Sequence, residues 1–75
     1  MTPAALVRTL RTRLSLTQTA LADALGVHVR TVQHWERGGE DPREGYAPGA
    51  EQVEALARLA GVEIVVGASG WRVEG

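Results

Sequence analysis

Arg30, Gln33, His34 and Arg37 lie within one eight-residue stretch of this 75-residue chain, and each carries groups that can meet a nucleobase edge. Arg bonds bidentately to guanine, Gln bonds to adenine, and His donates to phosphate or guanine. At about 100° per residue, a helix with Arg30 at 0° puts Gln33 at about 300°, Arg37 at about 340° and His34 at about 40°, so the four share one narrow arc. Val32 at about 200° and Trp35 at about 140° point the other way. One apolar stripe for a core and one opposite stripe of Arg, Gln and His is the chemistry of a helix that reads base edges, although a solvated helix face has the same polarity. Val29, at about 260°, stands at the border, where it either packs inward or touches a thymine methyl.

Other chemistries find no residues. The chain has no cysteine, which removes thiolate zinc sites and a disulfide framework. No carboxylate pair lies in an apolar setting, no glycine-rich phosphate loop follows a strand, and the core is too small for a substrate pocket, so an enzyme is not expected. His28 and His34, about 120° apart on a helix, do not converge on one metal ion. No metal and no cofactor is expected.

The elements that must carry the polar arc are legible from caps and periods. Thr2 caps a helix opening at Pro3, with Leu6, Leu10 and Leu14 four apart. After a break at Ser15 and Leu16, Thr17 caps a second helix with Ala20, Leu21, Ala24 and Leu25 on one face, stopped by Gly26. The third helix runs from Val29 to Arg37 and ends at Gly38-Gly39. Gly38 to Gly49, with four glycines and two prolines, reads as a flexible loop. Ala50 to Ala60 is helical again, with Val53, Leu56, Ala57 and Ala60 on one face, Glu54 four residues before Arg58, and Gly61 as C-cap. The period then switches to two: Val62, Ile64 and Val66 alternate with Glu63, Val65 and Gly67, and Gly67 to Gly70 leads into Trp71-Arg72-Val73-Glu74, a hairpin pattern.

Two short helices joined through Leu25-Gly26-Val27 make a helix-turn-helix layout, with small Ala22 where the helices touch. From Leu14 to Gly38 the chain resembles the phage repressor and Cro helix-turn-helix family, the XRE class. The resemblance spans roughly Leu6 to Leu59 and rests on Leu-Thr-Gln at 16 to 18, Leu-Ala at 21 to 22, Leu-Gly-Val at 25 to 27 and Val-x-x-Trp-Glu-x-Gly at 32 to 38. It implies that Gln18 holds a phosphate, that Val29, Arg30 and His34 face the bases with Gln33 and Arg37 nearby, and that Arg11 and Glu36 form a structural ion pair. The family commonly has Ser or Thr where this chain has His28, so the cap of the third helix is expected to be weaker or made by another group. The usual fifth helix is replaced by a β element, which is similar to HipB-like antitoxins and Cro-type proteins, where C-terminal strands pair between subunits.

The resulting expectation is a mainly α, four-helix repressor-like fold with a C-terminal β-strand or hairpin, divided into residues 1–61 for DNA binding and 62–75 for dimerisation. Base readers are Val29, Arg30, Gln33 and His34, and phosphate contacts are Thr17, Gln18, His28 and Arg37. Val62, Ile64, Val65, Val66, Trp71 and Val73 are expected at the interface of a homodimer. A strand around Val62 to Val66 would pair with its copy, because a lone hairpin is marginal in water and an apolar edge left open invites aggregation. Trp35 and Trp71 read as core or interface rather than as stacking platforms for single strands.

Charge agrees with a DNA partner once its distribution is considered. The net charge is −1, yet Arg8, Arg11, Arg13, Arg30 and Arg37 stand against only Asp23 and Glu36 in residues 1–37, while residues 38–75 carry three arginines against seven acids. A basic half faces phosphate and an acidic half faces away. No apolar run is long enough to span a membrane and the N-terminus lacks a signal-peptide layout, which points to a cytoplasmic, nucleoid-associated protein. The function expected is a sequence-specific double-stranded DNA-binding regulator, a repressor of a palindromic operator acting as a dimer. The rival is an antitoxin or adaptor whose acidic C-terminal half binds a toxin or other protein partner.

Overall fold

The computed structural model describes residues 1–38, 47–67 and 70–75. Its elements are α1 (Pro3–Arg13), α2 (Gln18–Leu25), α3 (Val29–Arg37), α4 (Ala50–Ala60), β1 (Glu63–Gly67) and β2 (Gly70–Glu74). The architecture expected from the sequence is thus present: mainly helical, closed by a two-stranded hairpin. Most of the loop read at Gly38 to Gly49, and the hairpin tip at 68–69, lie outside the described residues.

Local chemistry sets the helix boundaries. Thr2 Oγ1 accepts from the Ala5 amide at 3.2 Å and Thr17 Oγ1 from the Ala20 amide at 3.0 Å, each satisfying an otherwise orphaned N–H of a first turn. Helix α2 ends at Gly26 with φ of 69°, a left-handed geometry that a side chain disfavours, and the chain turns there into α3. Gly38 ends α3 with φ of 66° and meets a second constraint, since a Cβ at this position would stand 2.8 Å from Ala4 Cβ. The first turn of α1 and the end of α3 therefore touch backbone to side chain.

Leu6, Val7 and Leu10 of α1, Leu21 and Ala22 of α2, Val32 and Trp35 of α3, and Leu56 of α4 form the buried core. The hairpin lies over it. Register pairs Ile64 with Val73 and Val66 with Trp71 on one face, and Glu63 with Glu74 and Val65 with Arg72 on the other. Val62, Ile64, Trp71 and Val73 pack against the core, while the second face carries Val65 among charged neighbours, with Arg72 paired to Glu74 at 3.0 Å.

This arrangement alters the expectation for the C-terminus. The partner of β1 is β2 of the same chain, and four of the six residues assigned to a subunit interface cover the chain's own core. A single chain can bury that face because α1 and α4 flank it. The Trp71 amide also donates to the Met1 carbonyl at 2.8 Å, so the N-terminal residue lines the outer edge of β2. That bond shows the Trp71–Val66 pair to be a non-hydrogen-bonded one, so the backbone groups of Ile64 and Val66 point to the outer edge of β1. Among the described residues no backbone partner meets them there.

Gly26 and Gly38 separate backbone strain from collision. Gly26→Ala, which would meet nothing within 4 Å, is expected to cost about 1 kcal/mol for the left-handed geometry. Gly38→Ala is expected to cost a further 1 to 3 kcal/mol, roughly, for overpacking against Ala4, and Ala4→Gly should recover part of that. Urea denaturation of the variants measures this, and equal midpoints for the two glycine variants would remove the close approach of α1 to α3.

Candidate nucleic-acid interface

Helix α3 is aimed by one buried carboxylate. Glu36 is 4% exposed and is the buried charged residue among those described. From α1, Arg11 grips it with a two-toothed fork, Nε to Oε2 at 2.6 Å and Nη2 to Oε1 at 2.8 Å, and sends Nη1 to the Leu16 carbonyl at 3.0 Å. Arg8 places Nε 3.6 Å from the same carboxylate and donates from Nη2 to the Glu36 carbonyl at 3.0 Å. The Gln18 side-chain amide, at the start of α2, also bonds to this carboxylate. Burial pushes the Glu36 carboxyl up, but hydrogen bonds from Arg11 and Gln18 and the charges of Arg11 and Arg8 more than offset it, leaving the group below its ordinary value. Arg11 is raised by the same hydrogen bond, against its own desolvation.

The ion pair inferred from the family resemblance is thus present, with two further members. Gln18 is drawn toward Glu36 and is only half-exposed, which the reading of Gln18 as a phosphate ligand did not include. Arg8 was read only as part of the basic half. Neither tertiary bond has a local sequence signal, because each joins residues at least 18 apart.

On the opposite side of α3, Arg30, Gln33 and Arg37 are exposed, His34 is half-buried, and Val32 and Trp35 are buried. The stripe derived from the helical period is therefore a real division between core and surface. Val29 is half-buried and packs against the core. His28 supplies the cap that the family's Ser or Thr would make: its Nδ1 accepts from the Arg30 amide at 3.1 Å. Thr17 is exposed, with its hydroxyl engaged in capping α2.

His28, Arg30, Thr31 and His34 line one shallow hollow of about 510 Å³ on the flank of α3. Gln33 and Arg37 lie outside it. Thr31 was missed by the sequence reading because its helical angle of about 100° from Arg30 put it beside the core stripe. His28 and His34 come together here although a helical wheel separates them, because His28 is an extended capping residue and does not follow the helical period. Among the described residues, no three His, Cys, Asp or Glu side chains cluster as metal ligands.

A family model described as helix-turn-helix matches residues 7–66. The chain belongs to the helix-turn-helix family, in its XRE class. Neither a curated protein nor a solved structure matches it. As a member of this class the helix-turn-helix protein is a double-stranded-DNA-binding transcriptional regulator, and the family is one of regulators rather than catalysts. No helix among the described residues is long and apolar enough to cross a membrane.

The Glu36 hub makes a stability prediction with a defined pH window. A carboxyl held below its ordinary value stabilises the fold above the carboxylate range, and that stability is lost as pH falls through the folded-state value. Glu36→Ala should cost on the order of 3 kcal/mol at neutral pH by leaving Arg11 without its partner, against under about 1 kcal/mol for exposed Glu51→Ala. Glu36→Gln should flatten the acid limb of the stability profile. Chemical denaturation from neutral pH to pH 3 tests both, and coincident curves for the Glu36 and Glu51 variants would mean that the fork contributes nothing.

Proposed function

We propose that this protein is a repressor that binds a palindromic operator as a symmetric homodimer, each subunit laying α3 in the major groove. The observation that carries the reading is the division of α3. Its inner face is fixed by Val32, Trp35 and the Arg11–Glu36 fork, and its outer face presents Arg30, Gln33 and Arg37 to solvent. Arg30, Gln33 and His34 read bases. Thr17, Gln18 and Arg37 position the protein on phosphate, with Gln18 held at the right height by Glu36. Val29, half-buried against the core, supports the reading helix more than it touches DNA. The protein acts on the nucleoid in the cytoplasm.

Residues 1–61 serve DNA binding and residues 62–75 serve dimerisation. Support for the second assignment is the open edge of β1 and Val66, 55% exposed beside it. Dimers of this motif place two recognition helices about 34 Å apart, in successive major grooves. A second reading, an antitoxin or adaptor for a toxin or other protein, draws support from a groove of about 390 Å³ lined by Pro48, Ala50, Val53, Glu54, Val66 and Trp71. Steep loss of duplex binding with added salt favours the regulator, since phosphate contacts release counterions and adaptor contacts do not.

Selection of duplexes from a random pool with purified protein tests the main reading, and a palindrome is expected. Arg30→Ala should then weaken the best duplex by about 1 to 3 kcal/mol and relax preference at one position, whereas Gln18→Ala should weaken all sequences alike. Unchanged preference in Arg30→Ala, with melting unchanged, would refute α3 as the reader.

The dimer calls for an edge variant rather than a truncation, because removing the hairpin would uncover the core. Val66→Lys places a charge on the open edge, and it should give a folded monomer by light scattering with strongly weakened binding to the palindrome. A parent chain that is monomeric at micromolar concentration, or a variant that stays dimeric, would overturn the assignment.

A further inference from the structure

We infer that His28 and Thr31 together form a subsite for a thymine, at the N-terminal end of α3 and distinct from the Arg30, Gln33 and Arg37 stripe. The inference rests on the groove-reading assignment of α3 and extends it to two residues that the stripe does not contain. The two are held to each other by backbone and side chain. The Thr31 amide donates to the His28 carbonyl at 2.9 Å, and the His28 ring is held by the Arg30 amide bonding to Nδ1 at 3.1 Å. A neutral imidazole whose Nδ1 accepts a hydrogen bond carries its proton on Nε2. His28 therefore has one group left for a ligand, and it is a donor.

Thr31 lines the same hollow and brings a methyl beside a hydroxyl. Among the described residues, nothing engages the Thr31 hydroxyl or the Arg30 guanidinium. A donor next to a methyl group has one good complement among the four major-groove edges. Thymine shows an acceptor, O4, beside its C5-methyl. Cytosine puts an amino donor where His28 also has a donor, and adenine presents its N6 donor beside N7. Guanine, with two acceptors and no methyl, suits Arg30 better than it suits this pair. Val29, the residue that the sequence offers for a thymine methyl, is half-buried and packed on the core, which leaves Thr31 as the apolar contact on this flank.

The test uses the full-length protein and the best duplex recovered from a random pool. Each thymine is replaced singly by uracil, which removes only the 5-methyl group. At one position in each half-site, uracil should weaken the parent about four-fold, the factor that burying one methyl is worth. Thr31→Ser, which keeps the hydroxyl and loses the methyl, should be indifferent to uracil there, and Thr31→Val should remain sensitive. His28→Ser keeps a helix cap and should melt like the parent while losing its preference for thymine over cytosine at that position. Tolerance of uracil at every position by the parent, equal sensitivity in Thr31→Ser, or uniform weakening of all sequences by both variants as for phosphate contacts would each overturn the subsite while leaving base reading by α3 intact. Recovery of no preferred duplex would overturn both.

Discussion

The buried carboxylate of Glu36 is the point on which the rest of the interface depends. An ionised group at 4% exposure cannot stay in a small apolar core without partners, because its desolvation costs several kcal/mol. Four donors from three directions meet that demand or its backbone carbonyl: the Arg11 fork and Arg8 from α1, and the Gln18 amide from α2. An apolar residue of similar volume could give equal stability. What the carboxylate supplies is a fixed relation between the start of α2, proposed to meet the backbone of DNA, and α3, proposed to enter the groove. Base reading requires side chains to be placed within fractions of an ångström, and a directional fork holds an angle better than non-directional packing does.

The hairpin and the N-terminal residue complete a core that the four helices do not close. A chain of this length buries only about 60% of its unfolded surface, so few residues can be spared from cover. Ile64, Val73, Trp71 and Val62 lie over α1 and α4, and Met1 returns to bond Trp71. One face of the hairpin is engaged inside the subunit, so only the edge of β1 and the outer face remain for the proposed partner subunit. Glu63 opposite Glu74 on that outer face disfavours the hairpin slightly, and the Arg72–Glu74 pair offsets part of the repulsion.

The sequence carried everything that is local or periodic. Thr2 and Thr17 as caps, Gly26 and Gly61 as left-handed ends, the stripe of Val32 and Trp35, and the period-two run from Val62 all follow from short-range chemistry, and the structure has each of them. What escaped depends on a second element or on a rotamer. Arg8 and Gln18 bond to a residue at least 18 positions away, so nothing beside them in the chain announces it. His28 as a cap depends on which ring nitrogen faces the Arg30 amide, a matter of rotamer and tautomer that residue type alone does not decide. The period-two pattern alone leaves open whether the C-terminal strands pair within the chain or between subunits; the pairing of β1 with β2 inside one chain goes with α1 and α4 reaching the hairpin, which is a tertiary fact.

The helical wheel was right about the core and incomplete about the surface, for a physical reason. A wheel projects residues that share helical φ and ψ, and the N-cap does not: His28 has ψ of 145°, so its ring swings back along the flank of α3. That excursion widens the donor surface from a stripe to a stripe plus a hollow. The same excursion gives the chain something that a Ser or Thr cap would not. A hydroxyl that accepts from the amide it serves keeps its O–H donor close to the backbone, whereas an imidazole serves the amide with one nitrogen and carries its remaining donor on the far side of the ring. In a domain with so few residues to spare, one side chain that both caps a helix and keeps a donor on its flank would let the first turn of α3 serve the proposed recognition without loosening the helix that presents it.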